Sequence, residues 1–334
     1  MARFLPQSCP LPSCPSRAGD APFRWRRRGT FTRAVDGRTV QRFWCHACRR
    51  SFSGQSFRLD YRQQLPRLHL DLFPLFISKV TMRQAARCLK VDRKTVARRL
   101  TLLGHHCRLF HEERLKSRTL GGVFQLDELE TFETDRRLKP VTVPVLIERR
   151  SFFVVGLAVG TLPARGGLTP RDQERKKVLE ARTGKRRSES REMVRKTLAQ
   201  LEAALPKQAR LDIQSDQKSS YRCLIHEVFP GRLASHAVES SRAPRNYQNL
   251  LFPINHTLAM LRDSVSRLVR RNWAASKCRK WLERHLWIWV AWRNYLRPVT
   301  VKAGVPTPGQ IVGLTDHRWE AAELLRWRAG VGAK

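Results

Sequence analysis

Acidic side chains are scarce in this chain. Its 334 residues include 28 Asp and Glu against 65 Lys and Arg, a formal net charge of +37. That imbalance excludes a surface built for cationic ligands, and it makes the compact chain repel itself unless a polyanion neutralises it. Nucleic acid is the partner that fits. Lysine is scarce as well, with 15 Lys beside 50 Arg. The planar guanidinium fork suits phosphate and guanine contacts, although GC-rich coding produces the same bias and the two readings weigh equally. Long apolar runs are missing: the longest, Phe152 to Val159, is far too short to cross a bilayer, and the first twenty residues hold no apolar signal core. These absences point away from a membrane and toward the cytoplasm, with the nucleoid added for a bacterial chain. In that compartment the eight cysteines stay reduced unless a metal holds them. No Ser/His/Asp or Cys/His set has the spacing of a nucleophilic centre. The apolar share, 41%, supplies more than one core over this length and excludes a small histone-like binder.

Four cysteines fall in the first 50 residues, as Cys9-x4-Cys14 and Cys45-x2-Cys48. Two close pairs in a reducing compartment predict four thiolates around one structural Zn2+, with disulfides or unrelated thiols as the other reading. Between the pairs, Phe23 to Thr32 and Arg38 to Trp44 read as strands joined through Asp36-Gly37, a hairpin signal. His46 is a second-choice ligand. Next, Val80 to Leu103 reads as two helices around a Lys90-Val91-Asp92 turn. Ala85, Ala86 and Leu89 mark one inner face and Val96, Leu100 and Leu103 the other, with Asp92 capping the second helix. This helix-turn-helix pattern projects Arg93, Lys94, Thr95 and Arg98 outward, where a recognition helix meets a major groove. The surrounding residues 77 to 118 hold 12 basic and 3 acidic side chains, which favours DNA contact over a solvated helical hairpin.

From Gly121 onward, Val123 to Asp127, Val141 to Ile147 and Phe152 to Val159 read as strands. A basic loop or partly ordered insertion spans 161–189, and Val194, Leu198, Leu201 and Leu205 form a helical stripe. Leu211 to Asp216 is a fourth strand, a helix covers Tyr221 to Val228, and a fifth strand lies near Arg232 to His236. Two long helices follow: one buries Leu258, Leu261, Val265 and Leu268, the other runs from about Ser276 to Leu296 and carries Trp281, Leu282, Leu286, Trp289 and Trp292. Tryptophans at helical spacing read as packing groups, with base stacking the minority reading. This order of elements predicts a mixed α/β sheet with helices packed on it.

Because acids are rare, those at strand ends carry weight. Asp127, followed by Glu128 and Glu130, ends the first strand and Asp216 the fourth. Side by side they form a divalent-cation site able to hold two Mg2+ (or Mn2+) ions on a phosphodiester, and the other reading is strand caps or arginine partners. Three segments now carry a resemblance: FQLDELETFE, IQSDQKSSY and INHTLAMLRDSVSRLVRR. With the order of zinc ribbon, helix-turn-helix and β-rich core, the chain resembles insertion-sequence transposases with an RNase H-like DDE domain. The likeness spans about 290 residues. It implies Asp127 and Asp216 as the first two catalytic and metal-binding acids, and it puts Asn255 at the position of the third, normally Glu. Glu239, Glu128 and Glu130 are the other acids that lie close enough in sequence to serve. It also implies phosphate contacts from Arg262, seven residues after Asn255, and from the basic stretch Arg267, Arg270 and Arg271.

The organisation expected from all this is a zinc ribbon (1–58), a helix-turn-helix DNA-binding domain (62–118), an RNase H-like catalytic domain (119–298) with the basic insertion, and a tail (299–334). The function it implies is a transposase that binds the terminal inverted repeats of a mobile element as a homo-oligomer and cleaves and joins double-stranded DNA. A catalytically inactive, transposase-derived DNA-binding regulator is the alternative that Asn255 motivates. A structure-selective nuclease is a third reading.

Overall fold

A computed structural model describes residues 4–19, 22–240, 242–269 and 274–328. Arg270 and Arg271, two of the expected DNA contacts, lie outside the described residues. The chain divides into two compact units. One runs up to Asp71 and takes in the segment from Ala321 onward; the other is Leu72–Glu320.

In the first unit, a one-turn helix α1 (Pro15–Ala18) precedes the strands β1 (Trp25–Thr32), β2 (Thr39–Cys45) and β3 (Ser51–Ser53), which form one antiparallel sheet in that order. Gly37 takes a left-handed φ of 66° in the expected hairpin turn, a conformation that costs glycine nothing. At three residues, β3 is too short to leave an alternation signal in the sequence. Phe43, fully buried, stacks on Phe52 and packs with Cys9, Cys14 and Cys45.

Helix α2 (Leu68–Ile77) crosses the boundary between the units, and α3 (Met82–Cys88) and α4 (Arg93–Leu115) follow. Thr81 and Gln84 form a capping box that starts α3. Lys90 takes a left-handed φ of 51° in the turn, and the Asp92 carboxylate accepts the Lys94 amide at 2.7 Å to start α4. Ala85, Val96, Leu100 and Leu103 are all fully buried. The two-helix pattern is therefore present, but α4 continues for 23 residues and its later turns belong to the core of the second unit. There His111 bonds the Val155 carbonyl through Nε2 (2.9 Å) and the Tyr295 hydroxyl through Nδ1 (3.0 Å).

The sheet of this unit comprises β4 (Val123–Phe132), β5 (Pro140–Glu148), β6 (Val154–Leu157), β7 (Gly160–Thr161), β8 (Leu211–Asp216) and β9 (Leu233–Glu239). Its order is β6-β5-β4-β8-β9, with β7 also beside β5. β4 runs antiparallel to β5 and parallel to β8, and β8 runs parallel to β9, so the architecture is mixed α/β with a six-stranded mixed sheet. The helices are α5 (Pro170–Thr183), α6 (Ser190–Ala204), α7 (Ser219–Val228), α8 (Phe252–Ser264) and α9 (Arg279–Ala291). Strand alternation assigns the layers. Leu129, Val143, Val145 and Ile147 form one core with Ile254, Leu258 and Leu261 of α8 and Leu286, Trp289 and Val290 of α9. Helix α6 covers the other face, where its Ser190 meets Glu128.

Four expectations change. Strand β4 continues to Phe132 because β5 pairs with it over its whole length, so Asp127 lies inside a strand rather than at its end. What does end at Leu126 is the printed pairing with β8. The insertion contains α5, which Thr169 caps and Pro170 opens; a favourable first turn outweighs the turn formers around it. The last long helix stops as an α-helix at Ala291 and finishes in a π-turn, Trp292–Leu296. The segment read as a tail is also packed: Trp319 is buried edge-on against Phe110, with ring centroids 4.8 Å apart.

Helices α4 and α9 cross at Gly104. A Cβ there would stand 2.3 Å from the Arg284 carbonyl oxygen and 2.6 Å from its Cα, both backbone atoms that cannot rotate away. Gly104→Ala should push the helices apart and cost about 1–3 kcal/mol. Thermal unfolding would check it: Tm should fall by several degrees, and an unchanged Tm would mean that the crossing yields freely.

Candidate functional site

Parallel pairing aligns the two aspartates. Leu126 pairs with Ser215, so Asp127 and Asp216 occupy the next rung, on strands about 4.8 Å apart. Both point to the face that carries α8. Two residues earlier on each strand stands a glutamine, and Gln125 pairs with Gln214. Gln125 is fully buried. Its amide nitrogen donates to Gln214 Oε1 (2.8 Å) and to the Leu250 carbonyl (2.7 Å), while its oxygen accepts the Ile254 amide (3.0 Å). That amide is one of the unpaired donors in the first turn of α8. Gln125 thus pins the start of α8 to the sheet, and Asn255, half-buried, is the next residue.

The electrostatics set these carboxylates apart. Most acids of the second unit have a cationic partner, as Asp172 has in Arg137 and Glu133 in Arg186. Among the described residues, neither Asp127 nor Asp216 has an ion-pair partner, although the chain holds 65 cations. Asp127 Oδ1 accepts the Glu128 amide (2.6 Å), and Asp216 Oδ1 accepts the Lys218 amide (3.1 Å). Burial raises the Asp127 carboxyl to about 6, the Glu128 amide pulls it back, the charge on Asp216 pushes it further up, and Arg245 pulls it down. Two buried acids close enough to repel one another, with free oxygens and a neighbouring amide, form a hard-oxygen donor set of the kind that Mg2+ or Mn2+ takes.

The other weighed acids stand differently. Glu128 points to the opposite face, where Thr142 (2.5 Å), Ser190 (2.9 Å) and the Lys218 ammonium occupy its oxygens. Glu130 pairs with Arg165 at 2.5 Å. Glu239 lies on β9 in register with Asp216, and its carboxylate accepts the Ser240 amide (2.9 Å).

The four N-terminal cysteines form the second candidate centre. One Sγ from each of Cys9, Cys14, Cys45 and Cys48 lies within 4.8 Å of the others, and the first three residues are buried. The Cys9–Cys48 and Cys14–Cys45 sulfur separations are 3.7 and 3.8 Å. A tetrahedron with Zn–S bonds of about 2.3 Å has edges of about 3.8 Å, so the thiols stand where a zinc ion would need them. His46 is not part of this group.

Of the expected DNA contacts, Arg93, Lys94 and Arg98 are exposed at the start of α4, and Thr95 and Arg262 are half-buried. Arg267 differs: only 6% of it is accessible. The sequence reading missed Gln125, Gln214 and Arg245. The repeated Gln-x-Asp of Gln125/Asp127 and Gln214/Asp216 was a legible signal for the first two.

No family model matches the chain, and no curated protein matches it. A structural neighbour is the crystal structure of the catalytic domain of Mos1 mariner transposase, 12% identical, covering 59% of this chain and 91% of the neighbour with a TM-score of 0.22. No helix among the described residues is long and apolar enough to cross a membrane.

Because the Asp127 pKa is raised in the folded state, its contribution favours folding at low pH and is lost as pH rises through about 6. Asp127→Asn, which keeps an oxygen for the Glu128 amide, should therefore be more stable than wild type at pH 7.5 without metal, by about 1–2 kcal/mol. Divalent cation should close that gap by stabilising the wild type, as melting curves with and without Mg2+ would record. Elemental analysis should find about one zinc per chain, and Cys45→Ser should lose it and leave residues 1–58 open to protease; a metal-free chain with that region still protected would remove zinc from the account.

Proposed function

We propose that this chain is a DNA transposase. In this reading it binds the terminal inverted repeats of a mobile element and catalyses metal-dependent phosphodiester hydrolysis followed by strand transfer. The observation that carries the proposal is the pair Asp127 and Asp216, without ion-pair partners on adjacent parallel strands and beside Asn255, in a protein of net charge +37. A strand order of β6-β5-β4-β8-β9, with the first three strands antiparallel and the last two parallel to β4, suits the RNase H-like fold that the sequence resemblance implies.

Divalent metal held there would supply Lewis-acid stabilisation of charge on the attacking and leaving oxygens. The chain's own residues do the rest. Asp127 and Asp216 offer the negative charge, Asn255 adds a neutral oxygen, and Gln125 fixes the distance between sheet and helix. Arg262 lies two turns along α8 from Asn255, a position suited to a phosphate oxygen. Arg93, Lys94, Thr95 and Arg98 serve as the sequence-reading group at the start of α4, and the zinc-held unit adds a second basic surface.

Purified protein incubated with terminal-repeat DNA and Mg2+ should yield nicked ends and strand-transfer products, and Asp127→Ala should yield none. Wild-type cleavage by Asp127→Ala would refute the site. Asn255 also motivates the regulator reading, since an amide adds no charge to the cation site. Asn255→Ala and Asn255→Glu separate the two. An active enzyme loses turnover with Ala, whereas a regulator binds DNA and cleaves nothing in any of the three forms.

A further inference from the structure

A cavity of about 250 Å³ opens where α3, the first turn of α4 and α9 converge. It is smaller than the roughly 300–1,000 Å³ of drug-sized sites. Its walls are mostly apolar, with Phe76, Met82 and one face of Trp281, which is half-buried rather than packed in the core like Trp289. Two polar groups line it. Arg267, 6% accessible, has no acidic partner among the described residues; it touches only Met82 Sδ (3.3 Å) and sits over the Trp281 ring at 5.7 Å. Burial lowers its pKa to about 10, which leaves it charged at neutral pH. His285, 2% accessible, has Nε2 2.7 Å from the Phe76 carbonyl, so Nε2 carries the proton and Nδ1 presents a lone pair. That Nδ1 is buried with no hydrogen-bond partner.

A buried, unpaired guanidinium and an orphaned acceptor are both costly to keep. Together they ask for a ligand with an acceptor for Arg267 beside a donor for His285. Phosphate fits poorly, since its oxygens would face the His285 lone pair and the apolar walls would strip its water. A flat heterocycle with adjacent donor and acceptor edges fits, and its face can lie on Trp281. Arg83, Arg93 and Lys277 also line the cavity, as cations suited to flanking phosphates.

We propose that this cavity receives one unpaired nucleobase of a DNA strand, its edge bonded by Arg267 and His285 and its face stacked on Trp281. The proposal rests on the DNA-binding reading above and deepens it: the chain recognises an extruded or unpaired nucleotide as well as duplex.

Three duplexes of one sequence test it against the full-length protein: fully paired, with one unpaired nucleotide, and with an abasic sugar at that position. The unpaired nucleotide should bind about tenfold more tightly than the other two. Trp281→Ala should abolish that preference and Arg267→Met should weaken it, while affinity for the paired duplex stays within about twofold. Trp281→Phe, which keeps an aromatic face, should retain most of it, and the wild-type comparison decides the matter even if an Ala variant fails to fold. Equal affinity for the unpaired and abasic duplexes, or for all three, would overturn the pocket and leave the DNA-binding reading standing. Absence of binding to any duplex would overturn both.

Discussion

The second unit turns on one buried amide. Gln125 uses both ends of its side chain to tie β4 to β8, to the Leu250 carbonyl and to the first turn of α8. A buried amide left unsatisfied costs about 1–3 kcal/mol per lost partner, so these bonds are made together or not at all. Their consequence is geometric. The rung after Gln125 and Gln214 on the same face carries Asp127 and Asp216, and the residue after Ile254 is Asn255. Sheet register and helix position are thereby coupled, and three oxygen-bearing side chains come to one end of the sheet.

Charge follows the same logic. Around this centre the chain spends its few acids on pairs and networks: Glu133 with Arg186, Asp172 with Arg137, Glu128 with Lys218. Such pairs restrain a polycation that would otherwise repel itself. Asp127 and Asp216 stay out of this pairing despite the surplus of arginines. Strand geometry explains how, because on β4 the odd positions face α8 and the even positions face α6 and Lys218. Repulsion between the two carboxylates is tolerable where a cation can neutralise it, which ties the site's metal chemistry to the net charge of the whole chain.

Much of this was legible beforehand. The zinc-ligand spacing, the Asp36-Gly37 turn, the Asp92 cap and the register of apolar stripes on α4, α6 and α8 are local signals, and local signals survive in one dimension. The misses have a common cause. Asp127 reads as a strand end because Glu128 and Glu130 interrupt the apolar run, yet β4 continues, since Thr142, Ser190 and Lys218 satisfy Glu128 from other parts of the chain. The last segment reads as Gly- and Pro-rich tail because Phe110, the partner that buries Trp319, lies some two hundred residues away.

By itself the sequence determined the charge balance, the donor types and the periods that make each helix and strand, for these depend on neighbours within a few residues. Only the tertiary structure decided which donors meet: that Asp216 stands beside Asp127 and not Glu128, that Gln125 holds Asn255's helix, and that Arg267 and Trp281 turn inward to a cavity. Those outcomes depend on parallel strand register and helix crossings between residues far apart in the chain, and the cost of leaving a buried polar group unpaired selects one arrangement among those that local pattern allows.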